Sequence, residues 1–206
     1  AAVLAMMAIL WLVSLPLADV SIVDIAWGPG FALLAWIYLA RAADPGARAW
    51  LVAVLVTLWA VRLGGYLAWR NLGKGEDRRY AEMRERRGEA FRWQSLVLVF
   101  WLQGVLQWVI GVPLLAAVAL GGRGELGWLD ALAVLLFAVG FAFESIGDWQ
   151  LARFKADPAN RGRVMDRGLW RYTRHPNYFG DAVLWWGFGA FAVAAGAPWA
   201  LAGPAI

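Results

Sequence analysis

Residues 128–152 read WLDALAVLLFAVGFAFESIGDWQLA, an apolar run whose charged residues are all acidic. A run of about 20 apolar residues is long enough to cross the hydrocarbon core of a bilayer as a helix. Lipid offers no partners for peptide N–H and C=O groups, so the backbone must bond internally. A strand would need alternating polar and apolar residues, which these leucines, alanines and valines do not show. The run therefore predicts a membrane-spanning helix.

Further runs of this kind predict helices over 1–17, 20–40, 49–69, 93–120 and 177–196, and another helix begins near residue 198. The chain is 62% hydrophobic and contains 15 tryptophans, which is typical of membrane proteins. The predicted fold class is an all-α integral membrane protein, with residues 1–206 in a single transmembrane domain. The first run lacks the charged start and the cleavage site of a secretory signal, so we expect it to remain as a helix. The apolar sequence at the C-terminal end leads us to expect that one or both chain ends are incomplete.

The basic residues predict the orientation of these helices. Fifteen of the 19 Lys and Arg residues lie in two segments, 70–92 and 153–174, whereas the connections 41–48 and 121–127 carry three. The predicted helix count places both rich segments on the same side. The positive-inside rule makes that side the cytoplasm.

Polar residues within or beside the predicted helices concentrate in the cytoplasmic half. Arg62, Tyr66 and Arg70 are spaced i, i+4, i+8 and share one helix face, and Glu144 and Asp148 are spaced i, i+4 on another helix. Charges within a bilayer are costly and are therefore candidates for function. Together these residues predict a polar cavity open to the cytoplasm, and its other candidate members are Asp19, Asp24, Gln103, Gln107, His175, Asn177 and Asp181.

Structural roles also fit several of these residues. Asp19 and Asp24 are suited to helix caps. Gln103 and Gln107 are suited to hydrogen bonds between helices. Arg62 is suited to an ion pair with an acid. A purely topological role fits the loop arginines, and we favour it for Arg84, Arg86 and Arg87.

Two glycine patterns need separate interpretation. Residues 122–127 fit the pattern G-x-G-x-x-G, but they follow an apolar helix and not a strand. A dinucleotide fingerprint requires the strand, so we reject that interpretation. Gly28-Pro29-Gly30 lies within the second predicted helix and predicts a kink or a break there.

The segment from Arg174 to Asp181 holds the single histidine of the chain, His175. A guanidinium, an imidazole, an amide, a phenol and a carboxylate meet there at a predicted membrane boundary, as a charged cofactor beside a lipid-soluble substrate would require. The chain contains no cysteine, which excludes a Cys nucleophile and zinc–thiolate sites. We expect no metal site.

The run 168–181, GLWRYTRHPNYFGD, resembles the C-terminal signature of the steroid 5α-reductase family, much of which sterol C14 reductases share. The segment 143–150, FESIGDWQ, lies at the matching distance upstream. Residues 64–80, which include Glu76-Asp77-Arg78-Arg79-Tyr80, are similar to a bacterial branch of the family. The resemblance covers most of residues 20–190 and is specific from 143 to 187.

This resemblance implies a multi-pass enzyme of about seven transmembrane helices, a number that the length of the apolar runs allows. Its location would be the bacterial inner membrane, with the active site facing the cytoplasm. NADPH would bind between helix ends and the cytoplasmic loops 70–92 and 153–176, without a Rossmann domain. The enzyme would reduce an activated C=C bond in a lipophilic substrate from the bilayer, such as a 3-oxo-Δ4-steroid. We expect the membrane and this substrate as partners, and neither nucleic acid nor an obligate protein partner.

The resemblance also implies roles for individual residues. Tyr66 matches the catalytic tyrosine, which would polarise the substrate carbonyl with an acidic partner. That partner is a glutamate after a glutamine in animal members, and Asp24 after Val23 is the nearest match here. The implied cofactor-binding residues are Asp77, Arg79, Glu144, Asp148, Arg153, Lys155, Arg171, Tyr172, Arg174, His175, Asn177 and Asp181.

Two other functions remain open. Isoprenylcysteine and phospholipid methyltransferases carry a related Arg-His-Pro segment and use S-adenosylmethionine. Glu144, Asp148 and the acid-arginine-tyrosine loop favour the reductase. The function of a non-catalytic sterol- or lipid-binding membrane protein would account for a polar cavity. It would not account for the basic loops, which suit phosphate groups.

Overall fold

The computed structural model of the chain describes residues 1–121 and 124–205, and the regular structure in these ranges is entirely helical. Gly122 and Arg123, which belong to the rejected glycine pattern, lie outside the described residues, as does Ile206. The α-helices are α1 (Ala2–Leu17), α2 (Ile22–Ile25), α3 (Trp27–Arg41), α4 (Ala47–Asn71), α5 (Arg78–Arg87), α6 (Phe91–Ser95), α7 (Leu102–Ile110), α8 (Val112–Ala119), α9 (Trp128–Ala156) and α10 (Pro176–Ala194).

Shorter helical segments connect these elements. A π-helical segment, Leu96–Trp101, joins α6 to α7. The 3₁₀ segments are Gly88–Ala90, Pro158–Asn160, Gly168–Arg171 and Pro198–Ala202. Three helices are long and apolar enough to cross a membrane: Ala47–Asn71, the continuous run Arg78–Ile110, and Trp128–Ala156. The helical nature of all the predicted runs is confirmed.

Two of the predicted helices are broken. The run 93–120 is interrupted at Gly111, because Pro113 has no N–H to continue the ladder of hydrogen bonds. The run 20–40 is interrupted at Ala26, which separates α2 from α3. Pro29 consequently lies in the first turn of α3, where its missing N–H costs no hydrogen bond. The predicted break is present, but it comes before the glycine–proline segment.

The core lies where α3, α4, α8, α9 and α10 meet. Phe31, Trp59 and Trp185 contact one another there, with ring centroids 4.6 to 5.8 Å apart. Trp59 and Phe31 are fully buried. Aromatic groups of this size dominate the burial of apolar surface, so this cluster fixes how α4 is placed relative to α10.

Helices α9 and α10 form the most extensive contact in the structure. Glycines allow their backbones to touch: a Cβ added at Gly140 would lie 2.5 Å from the carbonyl oxygen of Gly180, and one added at Gly180 would lie 2.6 Å from that of Gly140. Small residues allow this close approach of membrane helices. The pairing places Glu144 and Asp148 of α9 beside Asn177 and Asp181 of α10.

Gly180→Ala is expected to destabilise the protein by about 1–3 kcal/mol, because the added methyl group overpacks a backbone contact that cannot yield. Gly65→Ala is the matched control, since an added Cβ there meets nothing within 4 Å and alanine favours the helix. Thermal unfolding in detergent measures both. Equal melting temperatures for the two variants would contradict the tight contact between α9 and α10.

Candidate functional site

Two concave regions contain most of the predicted site residues. The first, here called the tyrosine pocket, has a volume of about 260 Å³ and lies between α2, α4, α5, α7, α9 and α10. It contains seven of the predicted residues: Asp24, Tyr66, Arg79, Glu144, Asp148, Asn177 and Asp181. The second, here called the basic cleft, has a volume of about 1120 Å³ and is formed by residues 151–175. It contains five: Lys155, Arg171, Tyr172, Arg174 and His175.

Arg62 connects α4 to the acidic pair on α9. Its Nη1 donates to Glu144 Oε1 at 2.7 Å and its Nη2 to Asp148 Oδ2 at 2.6 Å. Trp59 Nε1 donates to the other oxygen of Glu144 at 2.9 Å, and Asn177 Nδ2 to the other oxygen of Asp148 at 3.1 Å. The two acids are only 4% and 6% exposed. The structural alternative for Arg62, an ion pair with an acid, is confirmed, and all four carboxylate oxygens already accept a hydrogen bond.

Tyr66 lies between two cations on the same face of α4. The guanidinium carbons of Arg62 and Arg70 are each 5.7 Å from the centroid of the Tyr66 ring. The side chain is half-buried and lines the tyrosine pocket. The shared face predicted from the spacing is confirmed, and it places positive charge on both sides of the phenol.

Asp24 does not form the predicted pair with Tyr66. Its Oδ1 accepts from the hydroxyl of Tyr80 at 2.8 Å, and its Oδ2 accepts from Arg79 Nη2 at 2.9 Å. Gln103 Nε2 donates to the same Tyr80 oxygen at 3.1 Å. The start of α5 therefore occupies both oxygens of Asp24. Tyr66 and Asp24 line the same pocket, but their side chains have different partners.

The acid-arginine-tyrosine loop binds other parts of the protein. Glu76 accepts from the guanidinium of Arg84 at 2.8 Å and from the backbone N–H of Val20 at 2.9 Å. Asp77 caps α5 by accepting from the backbone N–H of Arg79 at 3.0 Å. Both Asp77 and Arg79 are held by ion pairs within the protein, and Arg79 also lines the tyrosine pocket. They join the start of α5 to the segment before α3.

These contacts keep the loop acids ionised. Hydrogen bonds from Arg79 hold the pKa of Asp77 below its usual value. Burial raises the pKa of Glu76, but hydrogen bonds from Arg84 and Val20 outweigh it and leave the pKa lowered. A carboxyl group whose pKa is lowered on folding stabilises the fold above its unfolded pKa, and that contribution is lost as the pH falls through the folded pKa. The ion pairs of Glu76 and Asp77 therefore stabilise the loop at neutral pH, and this stabilisation is lost in acid.

Two acceptor atoms in the tyrosine pocket have no donor. Asn177 Oδ1 and Asp181 Oδ1 are buried without a hydrogen-bond partner among the described residues. Buried polar atoms are almost always satisfied, so each unsatisfied one calls for an explanation. A ligand that brings N–H or O–H groups into the pocket would supply these donors.

The basic cleft is formed by a loop that α9 holds in place. Gln150 Oε1 accepts from the backbone N–H of Leu169 at 3.0 Å, and Trp170 Nε1 donates to the carbonyl of Gly147 at 3.0 Å. Cationic side chains then line a cleft of a size suited to a cofactor, since ligand pockets typically measure about 300–1,000 Å³. These cations are Lys155, Arg161, Arg163, Arg171 and Arg174.

Some predicted residues lie elsewhere, and some functional candidates were missed. Arg153 stacks on Trp149 at 5.0 Å and lies outside the cleft lining. Arg161 and Arg163 line the cleft but were counted only as loop charge. Tyr80 stood in the quoted loop motif, yet nothing in the sequence linked it to Asp24.

Comparison with known proteins identifies the family of the chain but indicates no activity. The family described as "Protein of unknown function (DUF1295)" matches residues 10–206. The uncharacterized protein C594.04c of Schizosaccharomyces pombe is 27% identical over 215 residues, which cover 89% of this chain and 60% of the yeast protein. This chain thus spans about three-fifths of that relative's length. No solved structure matches the chain. Since the family match extends over nearly all of the sequence, the chain belongs to the DUF1295 family.

Proposed function

We propose that the protein is an NADPH-dependent membrane reductase that reduces an activated C=C bond in a lipophilic substrate. The observation that carries this proposal is the position of Tyr66, a phenol between two guanidinium groups in a small pocket. The basic cleft neighbours that pocket in the chain, because His175 lines the cleft and Asn177, two residues later, lines the pocket.

In the proposed membrane arrangement, further helices join the three that are long enough to cross a bilayer. Apolar helices α1, α3 and α10 would bring the number of spans to six, α8 would continue the fourth span beyond Gly111, and a seventh span would begin near residue 198. The basic segments would then face the cytoplasm of a bacterial inner membrane. NADPH is available on that side, and a lipophilic substrate would reach the tyrosine pocket from the bilayer.

The residues present fit NADPH. Five cations in the basic cleft suit its phosphate groups, which arginine binds in a bidentate manner. The unsatisfied acceptors Asn177 Oδ1 and Asp181 Oδ1 in the tyrosine pocket suit N–H or O–H donors of the cofactor. When bound, NADPH supplies the hydride.

The chain's own contribution to the reaction would come from Tyr66. Hydride addition to an enone puts negative charge on the carbonyl oxygen, and a phenol O–H can donate a hydrogen bond or a proton there. Arg62 and Arg70 would stabilise the phenolate that proton transfer leaves behind. The sequence instead predicted Asp24 as the acidic partner with which Tyr66 polarises the carbonyl. Asp24, fastened by Arg79 and Tyr80, would instead shape the opposite wall of the pocket.

A methyltransferase is the second candidate, and the cleft disfavours it. The reactive sulfur of S-adenosylmethionine is a cation, and the cleft lining carries five basic side chains against two acidic ones, Asp157 and Asp166. This net positive charge would repel the sulfonium and attract a polyphosphate. The third candidate is a sterol- or lipid-binding protein without catalysis. It does not explain why Tyr66 lies between two arginines.

Isotope transfer tests the proposal. The purified protein in lipid nanodiscs is incubated with C4-deuterated NADPH and a panel of lipophilic enones that begins with a 3-oxo-Δ4-steroid. Mass spectrometry is expected to show a reduced product that carries one deuterium from the cofactor and one proton from solvent. A parallel incubation uses methyl-labelled S-adenosylmethionine with bilayer lipids. Methyl transfer without deuterium transfer would overturn the reductase in favour of the methyltransferase, and no transfer in either arm would count against an enzyme.

A further inference from the structure

A cavity on the far side of α1 carries a second cationic site, separate from the tyrosine pocket and the basic cleft. It has a volume of about 420 Å³ and lies between the C-terminal half of α1 and the start of the long Arg78–Ile110 run. Leu12, Leu15 and Pro16 form its apolar wall, and the guanidinium groups of Arg84 and Arg92 face it from the other helix.

The backbone of Arg92 packs beside the second half of α1. Its backbone carbonyl accepts the indole N–H of Trp11 at 3.1 Å, and Trp11 is six residues before the end of α1. At 1.5 Å per residue this level is about 9 Å inside the helix end. The rings of Trp11 and Trp93 are 5.6 Å apart, and paired tryptophans of this kind mark the interface between headgroups and acyl chains.

No carboxylate forms an ion pair with Arg92 within residues 1–121 and 124–205. Its guanidinium instead stacks on the Trp93 ring at 5.6 Å. A cation in a membrane-spanning helix such as Arg78–Ile110 is costly unless an anion or water accompanies it. The arginines of the same segment that do pair with acids, such as Arg79 and Arg84, lie closer to its start.

Arg84 is fixed in an orientation that leaves one edge free for a ligand. Glu76 accepts from its Nε and Nη2, both at 2.8 Å, and its planar group stacks on Phe91 at 5.1 Å. Among the described hydrogen bonds none uses its Nη1. The two arginines therefore present pre-oriented donors to one cavity, a geometry that suits the oxygens of a phosphate.

We propose that this cavity binds the headgroup of an anionic phospholipid. The phosphate would lie between Arg84 and Arg92, and the acyl chains would run along the exposed apolar side of α1, which includes Ile9, Leu12 and Val13. Basic pockets between membrane helices bind anionic headgroups in this way. The apolar wall distinguishes this occupant from free phosphate, which gains nothing from Leu12, Leu15 or Pro16.

Native mass spectrometry of the detergent-purified protein tests the proposal. Phosphatidylglycerol is expected to form more adducts than phosphatidylcholine with the same acyl chains, and Arg92→Gln is expected to weaken phosphatidylglycerol binding about fivefold. Arg86→Gln, an exposed arginine of α5 outside the cavity lining, should leave binding unchanged. Arg92→Lys keeps the charge without the planar group and should bind with intermediate affinity, which provides a second test where Arg92→Gln fails to fold.

Three results would contradict the proposed lipid site. Equal binding of the two lipids, or wild-type affinity in both Arg92 variants, would overturn the site. Complete displacement of phosphatidylglycerol by inorganic phosphate would identify a free-anion site and refute the lipid headgroup. The measurement involves neither NADPH nor turnover, so its result is independent of the proposed reductase activity.

Discussion

Tyr66→Phe is expected to lower turnover about 10²–10³-fold, the cost of removing one preorganised donor to a developing oxyanion. The ring and its contacts with Arg62 and Arg70 remain in the variant, so the pocket keeps its shape. Cofactor affinity is expected to stay within about twofold of wild type, because the lost interaction forms only as charge develops on the substrate. Steady-state rates with NADPH and a reducible enone, together with a cofactor titration, measure both quantities.

Tyr38→Phe is the matched control for Tyr66→Phe. Tyr38 is a half-buried tyrosine near the end of α3 and does not line the tyrosine pocket. Removal of the Tyr38 hydroxyl should leave turnover unchanged. If Tyr66→Phe turned over like wild type, Tyr66 would have no role in proton chemistry, although NADPH could still be the cofactor.

Arg48→Ala is expected to destabilise the protein by about 3–5 kcal/mol, because it leaves a buried carboxylate without its cation. Arg48 is 5% exposed and Asp130 is 3% exposed. The guanidinium Nε and Nη2 donate to the two Asp130 oxygens at 2.6 and 2.9 Å, and further donors reach the carbonyls of Gly121 and Glu125. The pair thus ties the start of α4 to the loop before α9 and to the first turn of α9.

Two variants separate this ion pair from a general effect of mutation. Arg41→Ala removes an exposed arginine close to Arg48 in the chain and should have little effect on stability. Arg48→Met combined with Asp130→Leu removes both charges and should recover much of the lost stability, since apolar residues often replace a buried ion pair at little cost. Thermal unfolding in detergent compares the four proteins. A melting temperature for Arg48→Ala equal to that of Arg41→Ala would contradict the buried pair.

Hydropathy predicted the helices well because the bilayer constraint acts on each segment by itself. An apolar run of sufficient length must be helical whatever it packs against. The breaks at Ala26 and Gly111 were harder to place, because Gly, Pro and Ala are all tolerated inside membrane helices. At Gly111 the missing N–H of Pro113 ends the ladder of hydrogen bonds. Beside the break at Ala26, the backbone of Gly28 approaches that of Ala60, a tertiary contact that the sequence does not show.

The candidate site was predictable where its geometry is local. Tyr66 lies between Arg62 and Arg70 because residues four apart share a helix face, and the same rule pairs Glu144 with Asp148. The partner of Asp24 could not be predicted in this way, since Tyr80 is 56 residues away in the chain. Only the folding of α5 back onto α2 brings the two together.

Charge counting treated the two basic segments alike, but the structure separates them. In 70–92, Arg79 and Arg84 are engaged by Asp24, Asp77 and Glu76. In 153–174, none of the basic residues forms an ion pair with a described residue. Segment 70–92 contains five acids and segment 153–174 only two, a difference that counting basic residues alone overlooked. The pairing of Arg79 with Asp24 of α2 is the part that only the structure shows.

The proposed reductase depends on NADPH binding in the basic cleft. Titration into the purified protein, followed by energy transfer from tryptophan to the reduced nicotinamide, is expected to show saturable binding. The double variant Arg171→Ala/Arg174→Ala should weaken this binding at least about tenfold, because each charged hydrogen bond to phosphate contributes about 1.5–3 kcal/mol. Arg86→Ala should bind NADPH like wild type. Saturable binding of S-adenosylmethionine without any binding of NADPH, or wild-type NADPH affinity in the double variant, would contradict a cofactor site in the basic cleft.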